Sequence, residues 1–175
     1  EVGALMKLLV NSLRKEVSDF MKNNVRFTVI GDMNKFNQQI QNELKNAFQK
    51  TKNNSGLNLN LALSYGSRQE ILYATRKLVE KVTLGEIEIQ DINEDLFAQM
   101  LYTNDLTDPD LLIRTGGELR LSNFLLWQIA YTEIHITDRY WPEFDKQDLM
   151  KAIYDYQNRE RRFGKISAQV YINND

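Results

Sequence analysis

Leu5, Leu8, Leu9, Leu13, Val17, Phe20 and Met21 recur at spacings of three and four, which predicts a long helix with one apolar stripe over residues 5–21. After the polar corner of Lys22, Asn23 and Asn24, residues 25–30 form a β-branched and aromatic run that Gly31 and Asp32 stop, and this predicts a strand. Phe36, Ile40, Leu44, Ala47 and Phe48 give a second amphipathic helix. Residues 51–56 have loop composition, and residues 57–63 alternate strictly between apolar and polar, as a strand does.

Ile71, Leu72, Leu78 and Val79 mark a helix over about 68–82, and Asn93 is placed to cap a shorter one carrying Leu96, Phe97 and Met100. Pro109 disfavours helical geometry at Asp108, so that helix is expected to end there. Leu111, Leu112 and Ile113 then read as a short buried strand. Ser122 is expected to cap a helix running to about Tyr131, Ile134 to Ile136 forms a further short strand, and Asp145 opens a last helix to about Arg162.

Helices and strands therefore alternate along the chain. That order predicts an α/β fold, a central mostly parallel sheet flanked by helices, with ligands bound beyond the carboxyl ends of strands. No repeat or proline-rich linker interrupts residues 1–175, which are expected to form a single domain.

Composition narrows the function. The 175 residues are 42% hydrophobic, enough for one sizeable core. A formal net charge of -2 supplies no overall field to attract nucleic acid or anionic lipid, so any anion site must be local. The absence of cysteine excludes disulfides, thiolate metal ligands and cysteine catalysis, and suits a cytoplasmic protein. The densest apolar run, residues 124–127, is far too short to span a bilayer.

The segment that carries chemistry is Ile113, Arg114, Thr115, Gly116, Gly117, Glu118, Leu119, Arg120, Leu121, Ser122 and Asn123. It runs from a buried strand toward a predicted helix. Two glycines let backbone N–H groups approach an anion, Ser122 offers a hydroxyl, and a helix start would present unpaired donors. Arg114 and Arg120 supply planar forks for phosphate oxygens. Read from these residues alone, the segment is an anion site at a strand exit, and its spacing does not say which anion. The Gly-Lys-Ser or Gly-Lys-Thr ending of a Walker A loop is absent.

Asp108 to Glu118, continued through Arg120, Ser122 to Gln128 and Tyr131 to Glu133, resembles the C-terminal signature of the cis-prenyltransferases, closest to the undecaprenyl diphosphate synthases. Trp141, Pro142, Glu143 and Phe144 resemble that family's Trp-Pro motif, and Arg159 to Gly164 its basic tail. Ala62 to Glu70 is similar to its Tyr-Gly-Gly-Arg segment, with Ser67 in place of the second glycine.

The resemblance implies that Arg114, Arg120 and Ser122 bind the diphosphate of isopentenyl diphosphate and that Glu133 belongs to a magnesium site. It implies an allylic diphosphate as second substrate, a homodimer, and no membrane span, with peripheral membrane association for product release. The family's His-x-Asp-Gly-Asn-x-Arg-Trp and Phe-Ser-x-Glu-Asn-Trp segments do not occur here. Residue 1 falls just after the second of them, so an N-terminally incomplete domain is expected, holding one diphosphate without completing turnover. The apolar stripe of the first helix and the strand over 25–30 are candidates to line a hydrocarbon channel, although core packing explains them equally well. His135, in a short apolar strand, is read as a structural residue.

Two other function classes stay open. A non-catalytic accessory subunit of a heteromeric cis-prenyltransferase fits the missing segments, whereas the joint presence of Arg114, Arg120 and Ser122 speaks for an active chain. A nucleotide-binding α/β module would also use a phosphate turn, but the Gly-x-Gly-x-x-Gly fingerprint is absent.

Overall fold

The computed structural model describes residues 2–159. Within it the chain divides into two compact units, Glu1–Asp105 and Leu106–Asp175. The tail residues Arg161, Arg162 and Lys165, and the rest of the basic segment after Arg159, lie outside the described residues. Among the described residues no helix is long and apolar enough to cross a membrane.

The first unit is built on a parallel strand pair. Helix α1 spans Val2–Lys22, strand β1 Arg26–Ile30, helix α2 Gln38–Thr51, strand β2 Asn58–Ala62, helix α3 Ser67–Thr83 and the short helix α4 Glu94–Ala98. Strands β1 and β2 pair in parallel with Phe27 opposite Leu59 and Val29 opposite Leu61, and α2 supplies the crossover that parallel pairing requires. Because side chains alternate along a strand, Phe27, Val29, Leu59 and Leu61 share one face and pack with α1 and α2.

That core contains Val10, Leu13, Phe27, Ile40, Leu44 and Ala47, with Met6, Leu9, Val17 and Phe20 against it. Fully burying a side chain such as Phe27 contributes about 1.5–3 kcal/mol. Leu5, Leu8 and Met21, part of the predicted stripe, are instead exposed. At about 100° per residue Leu8 lies about 140° round the helix from Leu13, whereas Met6 and Val10 lie within about 60° of it. The core-facing stripe is thus Met6, Leu9, Val10, Leu13, Val17 and Phe20.

Polar anchors fix the unit at points that apolar periodicity does not mark. Thr51, expected in a loop, is the last residue of α2 and is fully buried. Its hydroxyl donates to the Ala47 carbonyl at 2.9 Å and accepts the Phe27 N–H at 3.1 Å, tying α2 to β1. Glu70 is also fully buried, taking the Tyr65 hydroxyl at 2.5 Å and the Tyr102 N–H at 2.8 Å. The caps foreseen at Asn93 and Asp145 form, the first accepting the Leu96 N–H and the second those of Gln147 and Asp148. The helix after Asn93 stops at Ala98, well before Pro109.

In the second unit, β3 (Leu111–Arg114) and β4 (Glu133–Ile136) pair in parallel, and α5 (Lys146–Gln157) packs on β4. The last helix ends at Gln157 rather than near Arg162. Asn158 closes it through the Tyr154 and Tyr156 carbonyls, and Arg159 turns back to Glu133.

The larger departure is residues 122–131, where turns replace the predicted helix. Ser122, Asn123 and Leu125 have φ of 52°, 61° and 47°, on the left-handed side, which a right-handed helix cannot accommodate. Ser122 is therefore not a helix cap.

The ladder of β3 and β4 continues into the glycine turn. Arg114 accepts the Thr137 N–H at 2.9 Å, and the Gly116 and Gly117 N–H groups donate to the Arg139 and Thr137 carbonyls at 2.8 and 2.9 Å. Both glycines have positive φ, 76° and 69°. A Cβ on Gly117 would lie 2.9 Å from Asp138 Oδ1, whereas one on Gly116 would meet only the Tyr140 ring at 3.7 Å.

Two stability measurements test this account. Thr51→Val, which strands the buried Phe27 N–H, is expected to cost about 1–3 kcal/mol by chemical denaturation, and Thr51→Ser clearly less because the hydroxyl remains. Gly116→Ala is expected to cost about 1–2 kcal/mol from its backbone angle alone. Gly117→Ala should cost more, since the Asp138 carboxylate must also swing aside.

Candidate functional site

Arg114 is the last residue of β3, paired in register with Ile136, so it stands at the carboxyl edge where parallel strands release their loops. Its Nε is buried and has no hydrogen-bond partner. An orphaned buried donor of this kind costs stability unless a ligand or water meets it. Arg26 Nε is likewise buried without a partner, but it stands on the polar face of β1 beside Thr28, Asn58 and Asn60, with no second cation among them.

The loop after the glycines brings Arg120 to the same place. Arg114, Glu118 and Arg120 line one pocket of about 340 Å³ whose remaining walls are apolar, among them Leu112, Leu121, Phe124 and Ile136. That volume lies at the lower end of the range for small-molecule sites. Arg120 Nη2 sits 2.5 Å from Glu118 Oε2, an ion pair that motif reading did not bring out. The signal for it is the spacing of two: in an extended segment, residues two apart point to the same side.

Three expected contributions are arranged differently. The Gly116 and Gly117 N–H groups are committed to carbonyls of the β4 exit and are not free for an anion. No helix begins at Ser122, so the helix dipole expected there is missing. Ser122 itself is exposed and is not among the residues that line it. The cations that line the pocket are the two guanidinium groups of Arg114 and Arg120.

Glu133 is at the other end of the ladder. It pairs with Leu111 while Arg114 pairs with Ile136, which separates the two positions by three strand residues, about 10 Å. Arg159 Nη1 holds the Glu133 carboxylate at 2.9 Å and donates to the Ile134 carbonyl at 2.9 Å. Among the described residues no group of three or more His, Cys, Asp or Glu side chains could hold a metal ion. These residues do not assemble a protein-only metal centre, and magnesium commonly takes only one or two carboxylates with phosphate and water oxygens. His135 is buried, its Nδ1 3.2 Å from Asp155 Oδ2, a link between β4 and α5 that agrees with a structural role.

The first unit has a pocket of its own, about 920 Å³, with Met6, Val10, Phe36 and Ile40 as apolar wall and Arg14, Lys35 and Ser64 among its polar lining. Arg14 pairs with Glu43 there, and the hydrogen bond between them holds the Glu43 carboxyl below its usual pKa and raises that of Arg14. Strand β1 contributes core rather than pocket wall, since Phe27 is fully buried. At the turn after β2, Gly66 is the extended residue before α3 and Ser67 begins the helix, so serine meets no left-handed requirement; the positive φ, 49°, is at Ser64.

Known proteins match along nearly the whole chain. The family profile described as putative undecaprenyl diphosphate synthase matches residues 1–164. An isoprenyl transferase of Clostridium perfringens is 50% identical over 166 residues, covering 95% of this chain and 66% of the relative. The (2E,6E)-farnesyl-diphosphate-specific ditrans,polycis-undecaprenyl-diphosphate synthase of Vibrio cholerae is 49% identical over 170 residues, 97% of this chain and 68% of its own. This chain thus spans about two thirds of the length of such relatives.

Solved structures agree in fold. Lavandulyl diphosphate synthase from Lavandula x intermedia, in complex with dimethylallyl diphosphate, superposes with a TM-score of 0.91 at 38% identity, covering 94% of this chain and 72% of that one. A probable undecaprenyl diphosphate synthase from Campylobacter jejuni gives 0.83 at 38% identity, with 94% and 75% covered. With an α/β fold of parallel strands and a family match over almost its full length, the chain belongs to the undecaprenyl diphosphate synthase family of prenyltransferases.

Proposed function

We propose that this chain carries the isopentenyl diphosphate half of a cis-prenyltransferase that extends an allylic diphosphate, farnesyl diphosphate-like, into a long-chain polyprenyl diphosphate such as a cell-wall lipid carrier precursor. The observation that carries the proposal is the buried, unpartnered Nε of Arg114 at a parallel strand exit, in one pocket with Arg120. Two planar guanidinium forks suit the paired oxygens of a diphosphate better than a lone carboxylate. The apolar remainder of the pocket suits a five-carbon hydrocarbon unit. Ser122, next along the loop, is proposed to add a hydroxyl to the same diphosphate.

The chemistry is a head-to-tail condensation. The allylic carbon–oxygen bond breaks and diphosphate leaves, the double bond of isopentenyl diphosphate attacks the allylic carbon, and loss of a proton forms the new double bond. Arg114 and Arg120 act by holding the second substrate where its double bond faces the allylic carbon, a proximity effect. Magnesium, when bound, supplies charge neutralisation on the diphosphate oxygens. Glu133 is the one carboxylate proposed for it from this chain, and it would exchange or share its partner Arg159. The large pocket beside Met6 and Val10 is proposed to take product hydrocarbon. A homodimer working in the cytoplasm, peripheral at the membrane for product release, completes the reading by likeness to the family.

Isopentenyl diphosphate binding to the protein at its full length, measured by calorimetry, tests the site. Arg114→Ala and Arg120→Ala are each expected to weaken binding about tenfold to a hundredfold, the value of one or two charge-assisted hydrogen bonds. Arg114→Lys should recover only part of the loss, because a point charge cannot replace the fork. Unchanged binding in both alanine variants would remove the site assignment.

A further inference from the structure

We propose that Glu118 is an internal competitor for the diphosphate, taking Arg120 when the site is empty and giving it up when substrate arrives. This rests on the assignment of Arg114 and Arg120 to a diphosphate. The two arginines are not equivalent. Arg114 keeps a buried, unpartnered Nε, whereas Arg120 already meets a carboxylate from its own loop at 2.5 Å.

The local geometry supports exchange. Glu118, Leu119, Arg120 and Leu121 lie in a segment without helix or strand bonds. The acid and the base, two residues apart, both line the pocket, as does Leu119 between them, which is 85% exposed. Glu118 is the one carboxylate among the residues that line it. An arriving diphosphate must displace this carboxylate from Arg120 and then lie near it, so like charges oppose its stay. The side chains are 69% and 39% exposed, so the pair is weak enough to open readily.

Repeated condensation gives such a contact a use. The diphosphate that enters on each five-carbon unit is carried by the lengthened product and becomes the leaving group of the next round. It must therefore quit the arginines after every bond formed. A carboxylate beside Arg120 replaces the hydrogen bonds lost on departure, which favours release at the expense of affinity.

The competing account is that Glu118 merely holds Arg120 in place, and the two accounts predict opposite signs. In the full-length protein, Glu118→Gln and Glu118→Ala are expected to lower the dissociation constants of isopentenyl diphosphate and of inorganic diphosphate about two- to fivefold, the range open to an exposed pair. The KM for isopentenyl diphosphate should fall while kcat fails to rise, and the tightening should shrink when Arg120→Ala is also present. Unchanged or weaker binding overturns the proposal, as does an equal tightening with and without Arg120. If Arg114→Ala and Arg120→Ala weaken binding but Glu118→Gln does not tighten it, the diphosphate site stands and the competitor role falls. If the arginine variants bind normally, the site itself falls.

Discussion

In a parallel ladder both strands leave on the same edge, so the segments after β3 and β4 must run side by side. In this chain the Gly116 and Gly117 N–H groups bond to Arg139 and Thr137, which extends the ladder past its last strand residue. Much of the site depends on those two bonds. They hold the turn against a fixed partner, and Gly117 leaves the Asp138 carboxylate the space a side chain would fill. They also spend the backbone donors, so the recognition proposed for a diphosphate rests on the guanidinium groups on either side. The position of such long side chains depends on what else they touch.

The same edge rule governs the first unit with different chemistry. Gly31 follows β1 at φ 116°, and a Cβ there would come 2.0 Å from the Leu63 carbonyl oxygen. That limit is backbone against backbone and cannot relax by a side-chain rotation. At Gly117 the obstacle is the end of an aspartate, which can move. The first turn is therefore limited by backbone against backbone and the second by the end of one side chain.

Much of this was legible in the residues because periodicity records burial. The alternation at residues 57–63 and the three-and-four spacing from Ile40 to Leu44 and Ala47 led directly to β2 and α2, and Asn93 and Asp145 marked helix starts by capping chemistry. Single polar residues whose partners are distant in sequence were not legible. Nothing local marks Thr51 as the acceptor for the Phe27 N–H, or Glu70 as the partner of the Tyr102 N–H. The turns over 122–131 escaped for a related reason: Ser122 before an apolar run looks like a helix start, and only the left-handed angles at Ser122, Asn123 and Leu125 show otherwise. At the site, residue types were readable and arrangement was not. Arg114 and Arg120 meet in one pocket, whereas Glu133, close to them in the same signature, begins the neighbouring strand at the opposite end of the ladder.

The contrast between the two arginines follows from where each is attached. Arg114 belongs to a strand, so its backbone is held by the ladder, and its Nε is buried without a partner. An unmet donor of this kind costs about 1–3 kcal/mol, and a bound anion that meets it recovers part of that cost as affinity. Arg120 belongs to an irregular segment, where an unpaired guanidinium would order for nothing, and the adjacent carboxylate satisfies it. In the grip proposed for a diphosphate, a strand-held donor with an unmet need is the fixed jaw and a loop-held donor with a carboxylate partner the movable one. Sites departing from local satisfaction at one well-supported residue, with the rest of the loop satisfied, are where function is expected to sit.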